Sequence, residues 1–410
     1  MQPSSATDRP DRPDRPPTQP GDLRRQNVSA VMRTVLARGS VARADIATVT
    51  GLARGSVTKL TAGLMAAGLL REESPVGPSL GPGRPRVPVV IDPTYRVIGV
   101  HVGLLWTIVG VVDLAGRIVD EVTLRHRDAS FEEIVELATG QIGRFTSGQA
   151  GRRIIGVGAS AGGWVDPATG VVVEHQALGW KDAPLRAALA ERLTLPVVLD
   201  GTVRAIALAE SWFGAATDVR SLLHVFVGNI VGAGIVVDRR LHLGPGAAAG
   251  YLDHVPVGAR TDRRCRCGRS DCLDAVASDV AVVADARAQG ILGPHQTIDD
   301  LAALAREGHE RATGLLRERA RHVGHAIALL VEILNPERVM VGGGVADHPE
   351  YLPDLHRAFA ERMHHPLHTD PAELVRPTSF GRHAVMLASA TAFLDAYYRD
   401  PMAYPPLAGS

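Results

Sequence analysis

The chain has 410 residues, of which 45% are hydrophobic and 21% charged, and its formal net charge is zero. This composition is typical of a globular protein long enough for more than one domain. No long apolar run occurs, and arginines and prolines occupy the place of a signal core, so we expect neither a membrane span nor secretion. The three cysteines lie close together in one segment, which excludes a disulfide framework and predicts a cytoplasmic protein.

The zero net charge conceals an uneven distribution along the chain. Residues 1–93 hold thirteen basic and eight acidic side chains, whereas the remainder holds thirty-one and thirty-six. Within the basic part, residues 1–20 repeat Asp-Arg-Pro without apolar periodicity, which predicts a disordered tail. This tail is either a solvated leader without a role or, as the alternative, an arm that tracks DNA.

Apolar periodicity predicts three short helices after residue 20. They extend from about Arg25 to Gly39, from about Arg43 to Val49 and from about Ala53 to Gly68. The glycine turn between the second and third helices matches a helix-turn-helix. The outward face of the third helix has short and basic side chains that can reach bases and phosphates in a major groove, and we predict DNA contacts from Arg54, Ser56, Thr58 and Lys59. An ordinary three-helix domain with a solvated polar face is the alternative.

A segment rich in proline and glycine follows, flanked by two short strands. Leu69–Arg71 and Val87–Ile91 are predicted to pair as a hairpin, which completes a winged helix over residues 21–92. The tip of this wing carries Arg84 and Arg86, two guanidinium groups suited to a narrow minor groove. The same segment can also serve as an interdomain linker.

From Val97 onward, strands, glycine turns and helices alternate. A first cycle extends to a helix ending near Phe213. A second cycle has strands at 222–227 and 234–237, long helices between 279 and 335 and a strand at 339–341. This alternation predicts an α/β fold built from two related halves.

Five sequence blocks occur in a fixed order: GRPR at 83–86, GWVDPATG at 163–170, LGWKDAPL at 178–185, CRCGRSDCLDAVAS at 265–278 and NPERVMVGGGV at 335–345. Together they resemble the ROK family (repressor, open reading frame, kinase), in its repressor-type form. The resemblance implies an N-terminal winged helix-turn-helix followed by a two-lobed, actin-like ROK domain over 93–400, with a tail at 401–410. It also implies self-association as a homodimer or homotetramer.

One imidazole and three thiolates occur within the loop 254–272, from His254, Cys265, Cys267 and Cys272. They have the identity and number that a closed tetrahedral Zn²⁺ site requires. In the ROK family this pattern is a structural zinc motif. Three arginines make the loop too polar for a core of reduced thiols, and no CxxC pair supports a redox role. We therefore expect one structural Zn²⁺.

Kinase chemistry requires a carboxylate base and loops that hold ATP phosphates. In ROK kinases the base belongs to an Asn-Asp pair, and alignment on Glu210 puts Gly201 and Thr202 at that pair. Asp200 is a nearby carboxylate, but it lies two positions too early. We therefore expect no catalytic residue and no kinase activity.

The family's phosphate loops are also altered. The first reads HVGLL at 101–105 and has lost its acid and its hydroxyl, while the second reads GNI at 228–230 in place of a glycine-rich turn. The run GGG at 342–344 remains, and a strand-to-helix turn explains it equally well. ATP binding is therefore not expected.

The family's hexose contacts are largely missing. Ala177, Gly201, Thr202 and Tyr251 replace polar partners, and each lost partner costs roughly 1 to 3 kcal/mol when a sugar hydroxyl is buried. We therefore expect that no standard hexose is the effector. A pocket for a different small-molecule effector remains a hypothesis, with plain surface residues as the alternative; its candidate residues are Glu174, His175, Gln176, Asp200, Thr202, Tyr251 and His254.

These features together predict a DNA-binding transcriptional repressor that recognises a palindromic operator in double-stranded DNA and is associated with the nucleoid. A link to carbohydrate or secondary metabolism is expected. The alternative is a ROK-type sugar kinase with an N-terminal DNA-binding extension, and Thr202, Leu105 and Ile230 discriminate against it. A zinc-stabilised scaffold that binds another protein is a third possibility.

Overall fold

The computed structural model describes residues 20–73, 87–148, 153–258, 263–265, 267–365 and 369–404. The predicted wing tip with Arg84 and Arg86 lies outside these ranges, as do residues 1–19 of the predicted tail and residues 405–410. The chain divides into two compact units. One groups the residues up to Ile91 with those from Tyr397 onward, and the other comprises Asp92–Ala396. Within the described ranges, no helix is long and apolar enough to cross a membrane.

The first unit begins with three helices. They are α1 (Pro20–Arg38), α2 (Arg43–Thr50) and α3 (Arg54–Ala66). The turn between α2 and α3 requires a glycine, because Gly51 has a φ of 71°. Helix α1 begins earlier than expected, since its polar first turn carries no apolar periodicity and a proline is well tolerated at a helix start. The predicted helix-turn-helix is therefore present.

Three short strands complete the first unit: β1 (Val41–Ala42), β2 (Leu70–Glu72) and β3 (Pro88–Ile91). They form an antiparallel sheet in the order β1-β3-β2. Strands β2 and β3 are the predicted hairpin that flanks the wing. Their register pairs Leu70 with Ile91, and Leu70 is buried, as are Val31, Met32 and Val35 of α1.

The first half of the second unit is built around a five-stranded sheet in the order β11-β7-β4-β5-β6. Its elements in chain order are β4 (Tyr95–Val102), β5 (Trp106–Asp113), β6 (Ile118–Arg125), α4 (Phe131–Gly148), β7 (Arg153–Ala161), β8 (Trp164–Asp166), β9 (Val171–His175), β10 (Trp180–Ala183), α5 (Leu185–Arg192), β11 (Val197–Gly201) and α6 (Thr202–Phe213). Strands β8, β9 and β10 form a separate small sheet at the carboxyl end of β7.

The second half has a sheet of the same size in the order β14-β13-β12-β15-β16. Its elements in chain order are β12 (Leu222–Val227), β13 (Val231–Val237), β14 (Arg240–Leu241), α7 (Leu273–Ala277), α8 (Asp279–Ala288), α9 (Ile298–Arg306), α10 (Glu310–Leu334), β15 (Arg338–Gly342), α11 (Leu352–Arg362), α12 (Pro371–Leu374), β16 (Val375–Pro377) and α13 (Ala384–Arg399).

The two large sheets share one topology. In each, three consecutive strands form an antiparallel meander, and two later strands are added in parallel beside the first strand of the meander. This repetition confirms the prediction of two related halves. It is the arrangement expected of the actin-like fold.

Glycines allow helices to pack closely on both sheets. A Cβ added at Gly158 of β7 would lie 2.0 Å from the backbone oxygen of Ser389 in α13. A Cβ added at Gly234 of β13 would lie 2.5 Å from the Cβ of Ala207 in α6. Helices α13 and α6 therefore approach the backbone of the first and second sheets at distances that a larger residue would prevent.

The C-terminal segment differs from its predicted assignment. The residues from Tyr397 onward group with the first unit rather than with the ROK domain, and Pro401–Ala403 form a short 3₁₀ helix where a plain tail was expected. The hydroxyl of Tyr397 donates to the backbone oxygen of Ala67 at 2.7 Å, and Arg25 pairs with Asp400 at 3.2 Å. These contacts join positions far apart in the chain, which local periodicity does not reveal.

Candidate functional site

The outward face of α3 carries the four predicted DNA contacts that lie in this helix. Arg54, Ser56, Thr58 and Lys59 are all exposed, whereas Val57 on the opposite face is fully buried. The first turn contains no acidic residue, and the N-cap residue makes no side-chain capping bond. A helix start of this kind favours anions such as phosphate.

The four predicted metal ligands come together in the second unit. The imidazole of His254 and the thiols of Cys265, Cys267 and Cys272 place one ligand atom each within 4.8 Å of one another. The Sγ of Cys265 is 3.3 Å from the Nδ1 of His254, and the Sγ atoms of Cys267 and Cys272 are also 3.3 Å apart. Separations of this size occur between neighbouring ligands around a tetrahedral Zn²⁺ with bonds of about 2.0 to 2.3 Å.

Backbone pairing brings these ligands together. Val257 donates to the carbonyl of Asp271 and Leu273 to that of Val255, so two short antiparallel segments place Cys272 beside the residues that follow His254. The backbone N–H of Gly268 donates to Cys265 in a tight turn that returns the chain to the cluster. The geometry is therefore formed by the loop itself.

The surroundings of the four ligands suit a bound cation. The Nε2 of His254 lies 3.5 Å from Oδ2 of Asp253, which leaves Nδ1 directed at the thiols. A hydrogen bond from the backbone at Arg269 lowers the pKa of Cys267 to about 7, whereas burial raises the pKa of Cys272 to about 11. A thiol that is costly to ionise when buried gains most from a cation that holds its thiolate. The residues present fit a metal ion.

A cavity of about 910 Å³ lies against this cluster, and His254 and Cys265 contribute to both. Six of the seven predicted effector residues line the cavity: Glu174, His175, Gln176, Thr202, Tyr251 and His254. They come from β9 and the 3₁₀ turn that follows it, from the start of α6 and from the loop that leads to the metal ligands. The structure therefore brings together residues from both halves of the second unit.

Asp200 is the exception and does not line the cavity. Its Oδ1 accepts hydrogen bonds from Nε of Arg204 and from the backbone N–H of Gly201, both at 2.6 Å. Burial raises the pKa of Asp200, and the guanidinium of Arg204 opposes that change. The prediction for Asp200 is corrected, because its carboxylate is engaged by Arg204.

Arg204 takes the place in the cavity wall that was assigned to Asp200. Its guanidinium also donates to the backbone oxygens of Ala247 at 3.0 Å and Val165 at 2.7 Å. Asp200 near the end of β11 and Arg204 in the first turn of α6 are only four residues apart, a signal that sequence reasoning missed.

A neutral hydrogen-bonded group surrounds Thr202. The Oγ1 of Thr202 is 3.5 Å from Nδ1 of His101, which lies 3.1 Å from Oγ of Ser160. Ser160 is in turn 2.7 Å from Ser389, whose hydroxyl donates to the carbonyl of Val385. Because Ser389 uses its proton there, Ser160 donates to Ser389, and Nδ1–H of His101 donates to Ser160. Burial lowers the pKa of His101 to about 4, so the group is uncharged near neutral pH.

A buried ion pair lies between the second phosphate loop and the glycine run 342–344. Nη2 of Arg319 donates to Oδ1 of Asp279 at 2.5 Å and to the carbonyl of Val227 at 3.0 Å. A Cβ added at Gly344 would lie 2.7 Å from Oδ1 of Asp279, and one added at Gly228 would lie 3.5 Å from Oδ2. The carboxylate of Asp279 thus occupies the space between the two glycine segments, a role that sequence reasoning missed.

Comparison with known proteins identifies the family. The model of the ROK family matches residues 97–395. The transcriptional regulator Rv0485 of Mycobacterium tuberculosis is 34% identical over 390 residues, which cover 91% of this chain and 86% of that protein. A ROK family transcriptional regulator homologous to the Escherichia coli MLC protein superposes with a TM-score of 0.77 at 24% identity, covering 93% of this chain and 98% of that one. The ROK glucokinase of Streptomyces griseus, solved with glucose and AMPPNP, superposes with a TM-score of 0.61 at 28% identity, covering 72% and 98%. The chain therefore belongs to the ROK family.

Proposed function

We propose that this ROK protein is a transcriptional repressor that binds a palindromic operator in double-stranded DNA, as a homodimer or a homotetramer, in the cytoplasm and at the nucleoid. The observation that carries the proposal is the exposed polar and basic face of α3, with Arg54, Ser56, Thr58 and Lys59, in a helix-turn-helix that precedes the ROK domain. A symmetric oligomer presents two such helices to two half-sites, which requires a palindrome.

The extent of the similarities supports a regulator over a sugar kinase. The relative named a transcriptional regulator covers 91% of this chain, whereas the glucokinase structure covers 72%. A kinase with an N-terminal extension is the second candidate, because the fold of the second unit is the same in both classes. The residues around Thr202 support the regulator over the kinase.

We also infer that the protein has no kinase activity. A sugar kinase needs a carboxylate to take a proton from the sugar hydroxyl, and Thr202 with its partners His101 and Ser160 supplies none. The carboxylate of Asp279, held by its ion pair with Arg319, fills the space between Gly228 and Gly344 that the phosphates of a nucleotide would need. Both features oppose phosphoryl transfer.

The ligand cluster is proposed as a structural Zn²⁺ site. Four protein ligands leave no open coordination position, which is the property of structural rather than catalytic zinc. Bound there, the metal would stabilise the loop 254–272 and thereby one wall of the cavity, since His254 and Cys265 belong to both.

The cavity is proposed as the site of a small-molecule effector that is not a standard hexose, in a pathway of carbohydrate or secondary metabolism. Such an effector releases or tightens DNA only if it binds the two conformations of the protein with different affinity. The loop 254–272, which holds the metal cluster and forms one wall of the cavity, is one element whose position can differ between the two conformations.

Mapping of the DNA fragments bound by the full-length protein, followed by footprinting, tests the proposal. We expect a palindromic site protected by the full-length chain and left unprotected by a truncated protein that lacks residues 1–92. Protection of the same site by the truncated protein, with its fold intact by circular dichroism, would contradict the assignment.

A further inference from the structure

The mouth of the 910 Å³ cavity carries large apolar side chains that are exposed to solvent. Trp164, Tyr251 and Val280 line the cavity and are 37%, 42% and 63% exposed. Ile230 adds a further aliphatic side chain to the lining. Clustered exposed apolar groups at a concave surface are typical of a binding site rather than of solvated surface.

Trp164 is held so that its ring rather than its polar atom is available. The indole N–H donates to the backbone oxygen of Gly246 at 2.9 Å, which satisfies the donor and fixes the orientation of the ring. A Cβ added at Gly246 would lie 3.7 Å from Cζ2 of the indole. The remaining surface of Trp164 is therefore apolar, and it is offered to the cavity.

The lining also includes a neutral hydrogen-bond donor. Nδ1 of His175 accepts from the backbone N–H of Leu178 at 3.3 Å, so the ring proton of the neutral imidazole resides on Nε2. A Cβ added at Gly162 would lie 3.1 Å from this Nε2, and Gly162 and His175 both line the cavity. Burial lowers the pKa of His175, which keeps the ring uncharged near neutral pH.

Among the described residues of the lining, the buried guanidinium of Arg204 is already neutralised. The guanidinium of Arg204 is paired with Asp200 and donates to two backbone oxygens. A carboxylate or phosphate head group placed beside Arg204 would therefore find no free countercharge, whereas Arg264 of the lining is exposed to solvent, where an ion pair contributes little. An uncharged oxygen that accepts from Nε2–H of His175 carries no such penalty.

A sugar matches the apolar part of this lining poorly. A monosaccharide carries hydroxyls around its whole ring, and a hydroxyl placed against Trp164, Ile230 or Val280 would lose water without gaining a partner. The cavity volume also lies near the upper end of the roughly 300 to 1,000 Å³ found for pockets that hold drug-sized ligands.

We propose that the cavity binds an uncharged aromatic effector with a hydrogen-bond-accepting oxygen, its ring system against Trp164, Tyr251 and Val280 and its oxygen on Nε2–H of His175. This inference rests on the proposed function, because it assigns the chemistry of the effector for the same regulator.

Fluorescence titration with prodan, an uncharged naphthalene ketone, tests the proposal on the full-length protein. We expect saturable binding with a blue-shifted emission, because the naphthalene leaves water and its carbonyl gains a donor. Trp164→Ala and Tyr251→Ala should each weaken binding about tenfold, the equivalent of about 1.4 kcal/mol. Trp106→Ala is the matched control, since Trp106 is 43% exposed and lies outside the lining, and it should leave affinity within about twofold.

Absence of saturable prodan binding, equal affinity in all the variants, or displacement of prodan by excess glucose would each overturn the proposal. DNA binding is measured on the same samples in the absence of prodan. Intact DNA binding without prodan binding refutes the effector class alone, whereas failure to bind any DNA refutes the proposed function. The two failures are therefore distinguishable.

Discussion

Oγ1 of Thr202 lies 3.5 Å from Nδ1 of His101, so two uncharged side chains meet at the position where a ROK kinase would need its base. The imidazole of His101 also hydrogen-bonds to Ser160, which hydrogen-bonds to Ser389, so the neutral group links β4, β7 and α13. None of these side chains is a carboxylate, the group that serves as the base in ROK kinases.

We expect no ATP-dependent phosphorylation of glucose, N-acetylglucosamine or xylose by the purified protein. General-base catalysis contributes about 10²- to 10⁴-fold to rate, and the carboxylate of Asp279 also fills space between the glycine segments that a nucleotide would need. A coupled assay for ADP release measures this, with an active ROK glucokinase as the positive control. Turnover above the no-enzyme background that Thr202→Ala abolishes would contradict the prediction.

The buried imidazole of His101 predicts an acid-sensitive fold. Burial and the neighbouring His175 lower its pKa from 6.5 to about 4, so the unfolded chain takes up a proton at a higher pH than the folded one. Stability therefore falls as the pH decreases from about 6.5 towards 4, by about 2 kcal/mol at pH 5 from this residue. His101→Asn keeps an N–H donor and removes the titration, so its free energy of unfolding should depend less on pH.

Chemical unfolding at about pH 7 and pH 5 measures this effect, with His295→Asn as the control because His295 is exposed. If wild type and His101→Asn lose the same free energy of unfolding between the two pH values, the assignment of this pH dependence to His101 is refuted. His224 is also fully buried, with its pKa lowered to about 3, and it should add to the sensitivity that remains.

Sequence reasoning succeeded where the signal was local. The apolar periodicity around Val31 and Val35 identified α1, and the spacing of Cys265, Cys267 and Cys272 identified a cluster that the structure brings within 4.8 Å of His254. The cysteine cluster could be predicted because residue type and short spacing define it, and the turn that joins Cys265 and Cys267 to Cys272 is short.

Sequence reasoning failed where the group that a side chain contacts belongs to another structural element. The role of Asp200 depends on Arg204 drawing its carboxylate away from the cavity. The role of Asp279 depends on Gly228 and Gly344, which come from two different strand ends of the second sheet. The position of Asp279 requires knowledge of which backbone segments approach closely, whereas the pairing of Asp200 with Arg204 spans the junction of a strand and a helix, where neither periodicity applies.

Removal of the metal tests the structural assignment of the cluster. We expect about one Zn²⁺ per chain in protein purified without added zinc. Cys272→Ser should lower both the metal content and the thermal midpoint, because Cys272 is fully buried and pairs the loop with Pro256. Elemental analysis and thermal unfolding measure the two effects. Ser270→Ala in the same loop is the control, and a metal-free wild type that unfolds at an unchanged temperature would be decisive against the site.

Lys59 should contribute to DNA affinity through phosphate contacts. It is exposed on α3, and Lys59→Ala should weaken binding to all sequences to a similar degree and reduce the slope of log affinity against log salt by about one. Lys181→Ala is the matched control, since Lys181 is the other lysine of the chain and is exposed on β10 of the second unit. Fluorescence anisotropy over a salt series measures both variants. Equal slopes for Lys59→Ala and wild type would exclude this contact.

The bond from Tyr397 to Ala67 makes the C-terminus part of the first unit. The hydroxyl donates at 2.7 Å to the carbonyl of Ala67, which directly follows α3, and the Tyr397 ring packs edge-on against Tyr404 at 5.3 Å between centroids. Tyr397→Phe keeps the ring contact and removes the hydrogen bond, which is worth about 1 kcal/mol. A loss of this size should increase the population of locally opened α3 about fivefold.

Amide hydrogen exchange of residues 61–70 detects that opening directly, because these amides belong to the end of α3 and the start of β2. We expect faster exchange there in Tyr397→Phe and no change in Tyr251→Phe, which makes the same chemical substitution in the second unit. Unchanged exchange at residues 61–70 in Tyr397→Phe would show that the C-terminal segment does not stabilise α3.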